Sequence, residues 1–219
     1  MVTVGCVEIL PTLGDFVVKI AVYGASGMIG SRVAAEAVRR GHDVVGITRS
    51  GGATPAGVEA VVGSANDAAS VKEVASSADV LVSAMGPSRT GEGPQGFLDA
   101  IDTLIASVGG ARLMVVGGAG SLVVNGKRLV DSPDFPEIYK AEALVVAGVL
   151  DTLRATAVDV NWTMLSPAQV IAPGSRTGTF RLGLDEPVGD HISAEDFAVA
   201  LLDEIETPAH LRRRFTLGY

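Results

Sequence analysis

The segment KIAVYGASGMIG, residues 19–30, constrains the fold more than any other part of the chain. A short β-branched apolar run reads as a buried strand, and Ile29, Val33, Ala37 and Val38 then recur at helical spacing. Glycines 24, 27 and 30 stand at the junction. In a strand-to-helix turn of this kind Gly24 allows the tight reversal, and Gly27 lets a pyrophosphate approach the backbone. Gly30 lets the helix pack closely on the strand. The helix's first N–H groups and its dipole then face an anion, with Ser26, Met28 and Ile29 around it.

The same alternation continues downstream. Strands are expected at 43–48, 58–62, 79–83, 112–116, 161–165 and 214–217. Helices are expected near 28–39, 67–75, 97–108, 137–156 and 194–205. Residues 117–136 read as an irregular excursion and 168–189 as turns with one short hairpin. Ser193 and Asp196 form a capping-box pattern before Phe197, Leu201 and Ile205. Strands alternating with helices imply right-handed parallel β-α-β units, hence a doubly wound parallel α/β sheet in a single domain. Residues 1–18 are expected as an N-terminal arm and 19–219 as the nucleotide-binding domain with a small C-terminal substrate-side region. Ligands of such sheets lie beyond the C-terminal strand ends. The loops beginning at Gly24, Arg49, Ser83, Gly117 and Ser166 should therefore gather there.

Composition narrows the partner. Hydrophobic residues are 47% and aromatics only 5%, so the core must be built from Val, Ala, Leu and Ile, the vocabulary of buried parallel strands. Seventeen basic against 25 acidic residues give a net charge of -8, which disfavours nucleic acid and anionic membrane and favours a small-molecule partner. Cys6 is the single cysteine and the three histidines are scattered, so neither a disulfide nor a metal site is expected. No apolar run approaches the roughly 18 residues of a membrane span. The first 16 residues lack the basic region of a signal peptide. A cytoplasmic protein, monomer or homodimer, is expected.

The second strand ends at Arg49, nineteen residues after Gly30, where dinucleotide folds meet the adenosine ribose. A carboxylate there would accept from ribose hydroxyls, whereas a guanidinium matches a 2′-phosphate. NADP is therefore expected over NAD. Asn66 and Asp67 lie where a side chain can reach the adenine or simply cap a helix. Ser83, Ala84, Met85 and Gly86 are small enough for close passage of the cofactor, and Pro167, Gln169 and Val170 are placed to line its nicotinamide face.

GASGMIG, Arg49, SAMG at 83–86, VVGGAGS at 115–121 and LSPAQV at 165–170 together resemble the atypical short-chain dehydrogenase/reductases. Within these the chain is most similar to NAD(P)H-binding proteins grouped with NmrA-like proteins and flavin or biliverdin reductases. The resemblance spans residues 19–219 and implies a Rossmann fold of strand order 3-2-1-4-5-6 with an NADP site. It also implies that Lys140, near the start of the long helix, reaches the nicotinamide ribose. Ser121 falls where relatives place a polar residue beside the substrate.

One element of that pattern is missing. The usual Tyr-x-x-x-Lys pair lowers a phenol's pKa so that it exchanges a proton during hydride transfer. Here Tyr139 is followed four positions on by Ala143, and Pro136 stands four before Lys140. An acceptor that takes hydride directly and its proton from water, such as a flavin or quinone, needs no such pair. Arg89 or Arg176 would attract an anionic acceptor. The expectation is an NADPH-dependent oxidoreductase acting on a small planar acceptor. The alternative is a non-catalytic NADP-binding redox sensor of NmrA-like type, and a sugar-nucleotide epimerase ranks third.

Overall fold

The computed structural model describes residues 17–88 and 93–219. Most of the expected N-terminal arm, with Cys6, and Arg89 lie outside the described residues. The main sheet is built first from β1 (Lys19–Tyr23), β2 (Asp43–Thr48), β3 (Glu59–Val62), β4 (Val80–Ser83) and β5 (Arg112–Val116). β8 (Trp162–Ser166), β10 (Arg181–Gly183) and β12 (Arg213–Gly218) complete it. Their order is β10-β12-β8-β5-β4-β1-β2-β3, parallel except for the antiparallel edge pair β10–β12. The expected order 3-2-1-4-5-6 is present, extended by β12 and β10. The winding direction reverses between β1 and β4, where Tyr23 and Ser83 are register partners.

Three layers follow from the alternation of side chains. β4, β5 and β8 are buried at every position, as parallel strands covered on both faces must be. On one face Ile20, Val22, Val82, Met114 and Leu165 meet α1 (Met28–Arg39) and α5 (Ala194–Glu206). On the other, Ala21, Leu81, Leu113 and Trp162 meet α2 (Ala68–Ser77), α3 (Gln95–Ser107) and α4 (Glu137–Thr156). Trp162 is core, at 2% exposure.

Two connections differ from the sequence reading. The excursion at 117–136 contains a hairpin of β6 (Val123–Val124) and β7 (Lys127–Arg128). Its two-residue loop, Asn125-Gly126, has φ of 52° and 77°, the positive pair that matches the twist of a tight hairpin. The stretch 168–189 holds no hairpin of its own. β9 (Val170–Ala172) pairs parallel with β11 (His191–Ser193), and β10 pairs with β12. Three-residue strands bury too little to announce themselves, and their partners lie far along the chain.

A charge cluster clamps this C-terminal segment to α1. Glu36, 6% exposed, accepts from Arg39 at 2.8 and 2.7 Å, from Arg40 at 2.8 Å and from Arg176 at 2.9 and 2.9 Å. Arg40 also reaches Glu206 of α5 at 2.6 Å. Arg176, expected to attract an anionic acceptor, is instead spent on Glu36. Burial alone would raise the Glu36 pKa, but the hydrogen bonds from Arg39, Arg176 and Arg40 overcome it and hold the carboxyl well below its usual range. A depressed folded pKa gives stability that is present above the unfolded value of about 4.3 and lost as pH falls below it. Glu36→Ala should lower unfolding free energy at pH 7 by about 2–3 kcal/mol, the figure discounted for the exposed ends of Arg39 and Arg176. Chemical denaturation at pH 7 and pH 3.5 should show a gap between the two proteins that narrows in acid.

Candidate nucleotide site

At the end of β1 the chain reverses at Gly24, whose φ of +82° few side chains tolerate. Its N–H donates to the Ile47 carbonyl at 3.1 Å, and the Ala84 N–H donates to the Tyr23 carbonyl at 2.9 Å. A Cβ on Gly24 would lie 2.7 Å from the Ala84 oxygen and 3.4 Å from Met85 Cγ. A Cβ on Gly30 would lie 2.2 Å from the Gly24 oxygen. The two glycines thus let the first turn of α1 sit directly on the turn, between the ends of β2 and β4.

The start of α1 is open. Gly27 is its N-cap with extended backbone and no side-chain cap, and no acidic residue occupies its first turn. Ser26, Gly27 and Met28 are exposed. The N–H groups of Met28, Ile29 and Gly30 are the uncapped donors of a helix end, an arrangement that takes an anion. By contrast α2 is capped by Asp67, whose carboxylate accepts from Ala69 at 3.0 Å and Ser70 at 3.3 Å. Asp67 is therefore engaged as a cap, and Asn66 beside it is exposed.

Arg49 follows β2. The loop it opens folds back on the turn: a Cβ on Gly52 would lie 3.0 Å from both Cβ and Oγ of Ser26. Arg49 is exposed and makes no ion pair or hydrogen bond among the described residues. The positive helix end, the missing Cβ atoms and this uncommitted guanidinium fit the diphosphate and ribose end of a dinucleotide.

Ser83 is 1% exposed, and its hydroxyl, like those of Tyr23 and Ser166, has no hydrogen-bond partner among the described residues. Burial pushes the Tyr23 phenol up to about 12, with the Asp67 charge adding to the effect. Gly86 is exposed and Pro167 is buried. The structure brings Gly24, Gly30, Ala84 and Met85 into one packed turn, with Ser26 under the Arg49 loop.

The two expected catalytic entries lie outside that turn. Lys140, in the first turn of α4, sits 3.6 Å from Glu137. Tyr139 is 60% exposed. Ser121 is buried, and its hydroxyl accepts from Arg214 at 3.2 Å in a cavity of about 350 Å³ against α4. Burial lowers the Arg214 pKa, opposed by hydrogen bonds to Asp185. Arg214 lies 93 residues from Ser121, so no local signal marks this pairing.

The NAD(P)H-binding family model matches residues 24–208. The chain belongs to the NAD(P)H-binding family. Its cofactor is therefore a nicotinamide dinucleotide, in keeping with the open turn at Gly24–Gly30. A solved structure from Burkholderia pseudomallei, named "putative exported protein", is 43% identical with a TM-score of 0.82, covering 92% of this chain and 100% of that one. A "putative epimerase" from Bacteroides thetaiotaomicron is 35% identical, TM-score 0.83, over 93% and 98%. A "putative NADH-flavin reductase" from Streptococcus pneumoniae is 34% identical, TM-score 0.82, over 91% and 98%. Among the described residues no helix is long and apolar enough to cross a membrane.

Gly30→Ala would force its Cβ into the Gly24 carbonyl, whereas Gly27→Ala meets the same atom at only 3.2 Å. Calorimetric titration should show at least tenfold weaker NADPH binding in Gly30→Ala and a smaller loss in Gly27→Ala. Wild-type affinity in a folded Gly30→Ala protein would exclude this turn as the nucleotide site.

Proposed function

We propose that this chain is an NADPH-dependent reductase of a small planar acceptor such as a flavin or quinone. The observation that carries the cofactor choice is Arg49, exposed and uncommitted, on the loop whose Gly52 abuts Ser26. A guanidinium there recognises a 2′-phosphate, which NADPH has and NADH lacks. The amides of Met28, Ile29 and Gly30 hold the diphosphate, and Ala84 and Met85 shape the wall against which the cofactor lies. By the family resemblance Pro167 would line the nicotinamide and Lys140 would reach its ribose. When bound, the reduced nicotinamide supplies a hydride, which with one proton from water reduces the acceptor by two electrons.

Support for a planar acceptor comes from the proton inventory. Tyr139 has no lysine four residues on. The Tyr23 phenol is buried and its pKa is raised, so it does not give or take a proton readily. Ser121 is held by Arg214. An acceptor that draws its proton from solvent needs none of these.

NADPH oxidation should be saturable with a flavin or a quinone. Arg49→Ala should raise the Kd for NADPH about tenfold, roughly 1.4 kcal/mol, and leave NADH unchanged. Equal losses for both nucleotides would remove the argument for 2′-phosphate recognition. Tight NADPH binding without turnover of any acceptor would favour the sensor reading.

A further inference from the structure

A second cavity, of about 560 Å³, is formed by β9, β11, the 173–179 segment and Tyr219. Its volume is that of a site for a drug-sized molecule. Val170, Ala172, Pro173 and Ile192 give it apolar walls. Val170, at 59% exposure, stands open in a strand only three residues past Pro167.

The frame of this cavity is tied together by hydrogen bonds. Asp196 is fully buried and accepts from the Thr177 and Gly178 N–H groups at 2.8 Å each, from Thr177 Oγ1 at 2.5 Å and from the Tyr219 hydroxyl at 2.7 Å. Ser193 Oγ accepts from the Asp196 N–H at 3.0 Å, donates to the Ser175 carbonyl at 2.8 Å and lies 2.8 Å from the Tyr219 hydroxyl. The expected capping box is thus half made: the Asp196 carboxylate turns away from the helix start to hold the loop. These polar groups are consumed inside the wall, so the ring of Tyr219 and the aliphatic residues are left to face a ligand.

His191 adds one polar edge. Its Nδ1 is 2.6 Å from Asp190 Oδ1, and its ring stands edge-on to Tyr219 with centroids 5.0 Å apart. The carboxylate fixes the ring through Nδ1 and leaves Nε2 for a ligand.

The cavity also adjoins the nucleotide site. β8 and β12 are parallel, so Tyr219 follows the same strand edge as the loop after Ser166. The Gly174 N–H donates to Glu195 at 2.7 Å, and Glu195 pairs with Arg32 at 2.6 Å. Arg32 in turn donates to the Met28 carbonyl at 2.8 Å, at the open end of α1. Three polar contacts join the cavity wall to the anion-binding turn.

We infer that this cavity is the acceptor site, taking the flat two-electron-accepting ring shared by isoalloxazines and quinones, with His191 Nε2 on its polar edge. The class of ligand rests on the reductase reading given above. The chemistry of the walls suits it: apolar surface and one aromatic for the ring, one imidazole for a ring carbonyl or imide, and no charge buried beneath it other than the fully satisfied Asp196.

The test is equilibrium binding of FMN and of menadione to the full chain saturated with NADP⁺, in wild type, Val170→Trp and His191→Ala, with NADPH oxidation followed in parallel. Val170→Trp fills the cavity and should weaken the bound ring at least tenfold. His191→Ala, at an exposed rim position, should weaken it about threefold or more and leave NADP⁺ affinity unchanged, whereas Val170→Trp is read only at saturating NADP⁺ because Val170 adjoins the nicotinamide side. If Val170→Trp does not fold, His191→Ala decides alone. Absence of ring binding in wild type, or wild-type affinity in the folded variants, overturns the assignment. Turnover that survives both substitutions also overturns it while leaving the reductase reading intact. Ring binding that the variants abolish, without NADPH oxidation in wild type, supports the cavity and sinks the reductase reading. Retention of FMN or of menadione alone identifies which ring the site takes.

Discussion

The contact between Gly30 and the carbonyl of Gly24 is the constraint on which the rest depends. The turn after β1 passes so close beneath the first turn of α1 that one added carbon at position 30 would lie 2.2 Å from that oxygen. Because the space is empty, α1 begins at the point where the sheet reverses its winding, and its unpaired N–H groups open at the strand ends. The positive φ at Gly24 and the nearby Ala84 carbonyl apply the same restriction from the other side. An open helix N-terminus is thus a by-product of close packing, and the proposed anion site is made from backbone and needs no dedicated side chain.

The 173–178 segment is attached to α1 and α5 by charge and hydrogen bonds rather than by sheet pairing. Glu36 and Glu195 accept from arginines on α1 and from the 173–178 segment, and Asp196 holds Thr177 and Gly178 from the start of α5. These carboxylates are held below their usual pKa despite burial, because hydrogen bonds outweigh the desolvation that opposes them. A loop of Gly, Pro and Ser is thereby held in one shape, which a cavity for a rigid ring requires.

Much of this was legible in the sequence because parallel strands covered on both faces must be apolar throughout. Runs such as VLVS, RLMVV and WTMLS stand out between helical periods. The glycine spacing was equally legible, since a missing Cβ is a property of the residue itself. Asn125-Gly126 carried a clear hairpin signal inside a stretch read as irregular. What remained hidden depends on distant partners. Arg176 looks like a free loop cation until Glu36, 140 residues away, is seen to hold it. Ser121 shows no sign in the sequence of its partner Arg214, 93 residues on. The cavity around Tyr219 is assembled from segments separated by other elements, with no periodicity to mark it.

The central claim is that the first-turn amides of α1 and the Arg49 guanidinium hold a nicotinamide dinucleotide phosphate. Amide and guanidinium nitrogen shifts, followed by NMR during NADP⁺ titration, test it most directly. Saturable shifts of the Met28, Ile29 and Gly30 amides are expected, together with Arg49 Nε; NAD⁺ should move the amides but not Arg49. Binding of NADP⁺ that leaves all four signals in place and perturbs another face of the sheet would contradict the account.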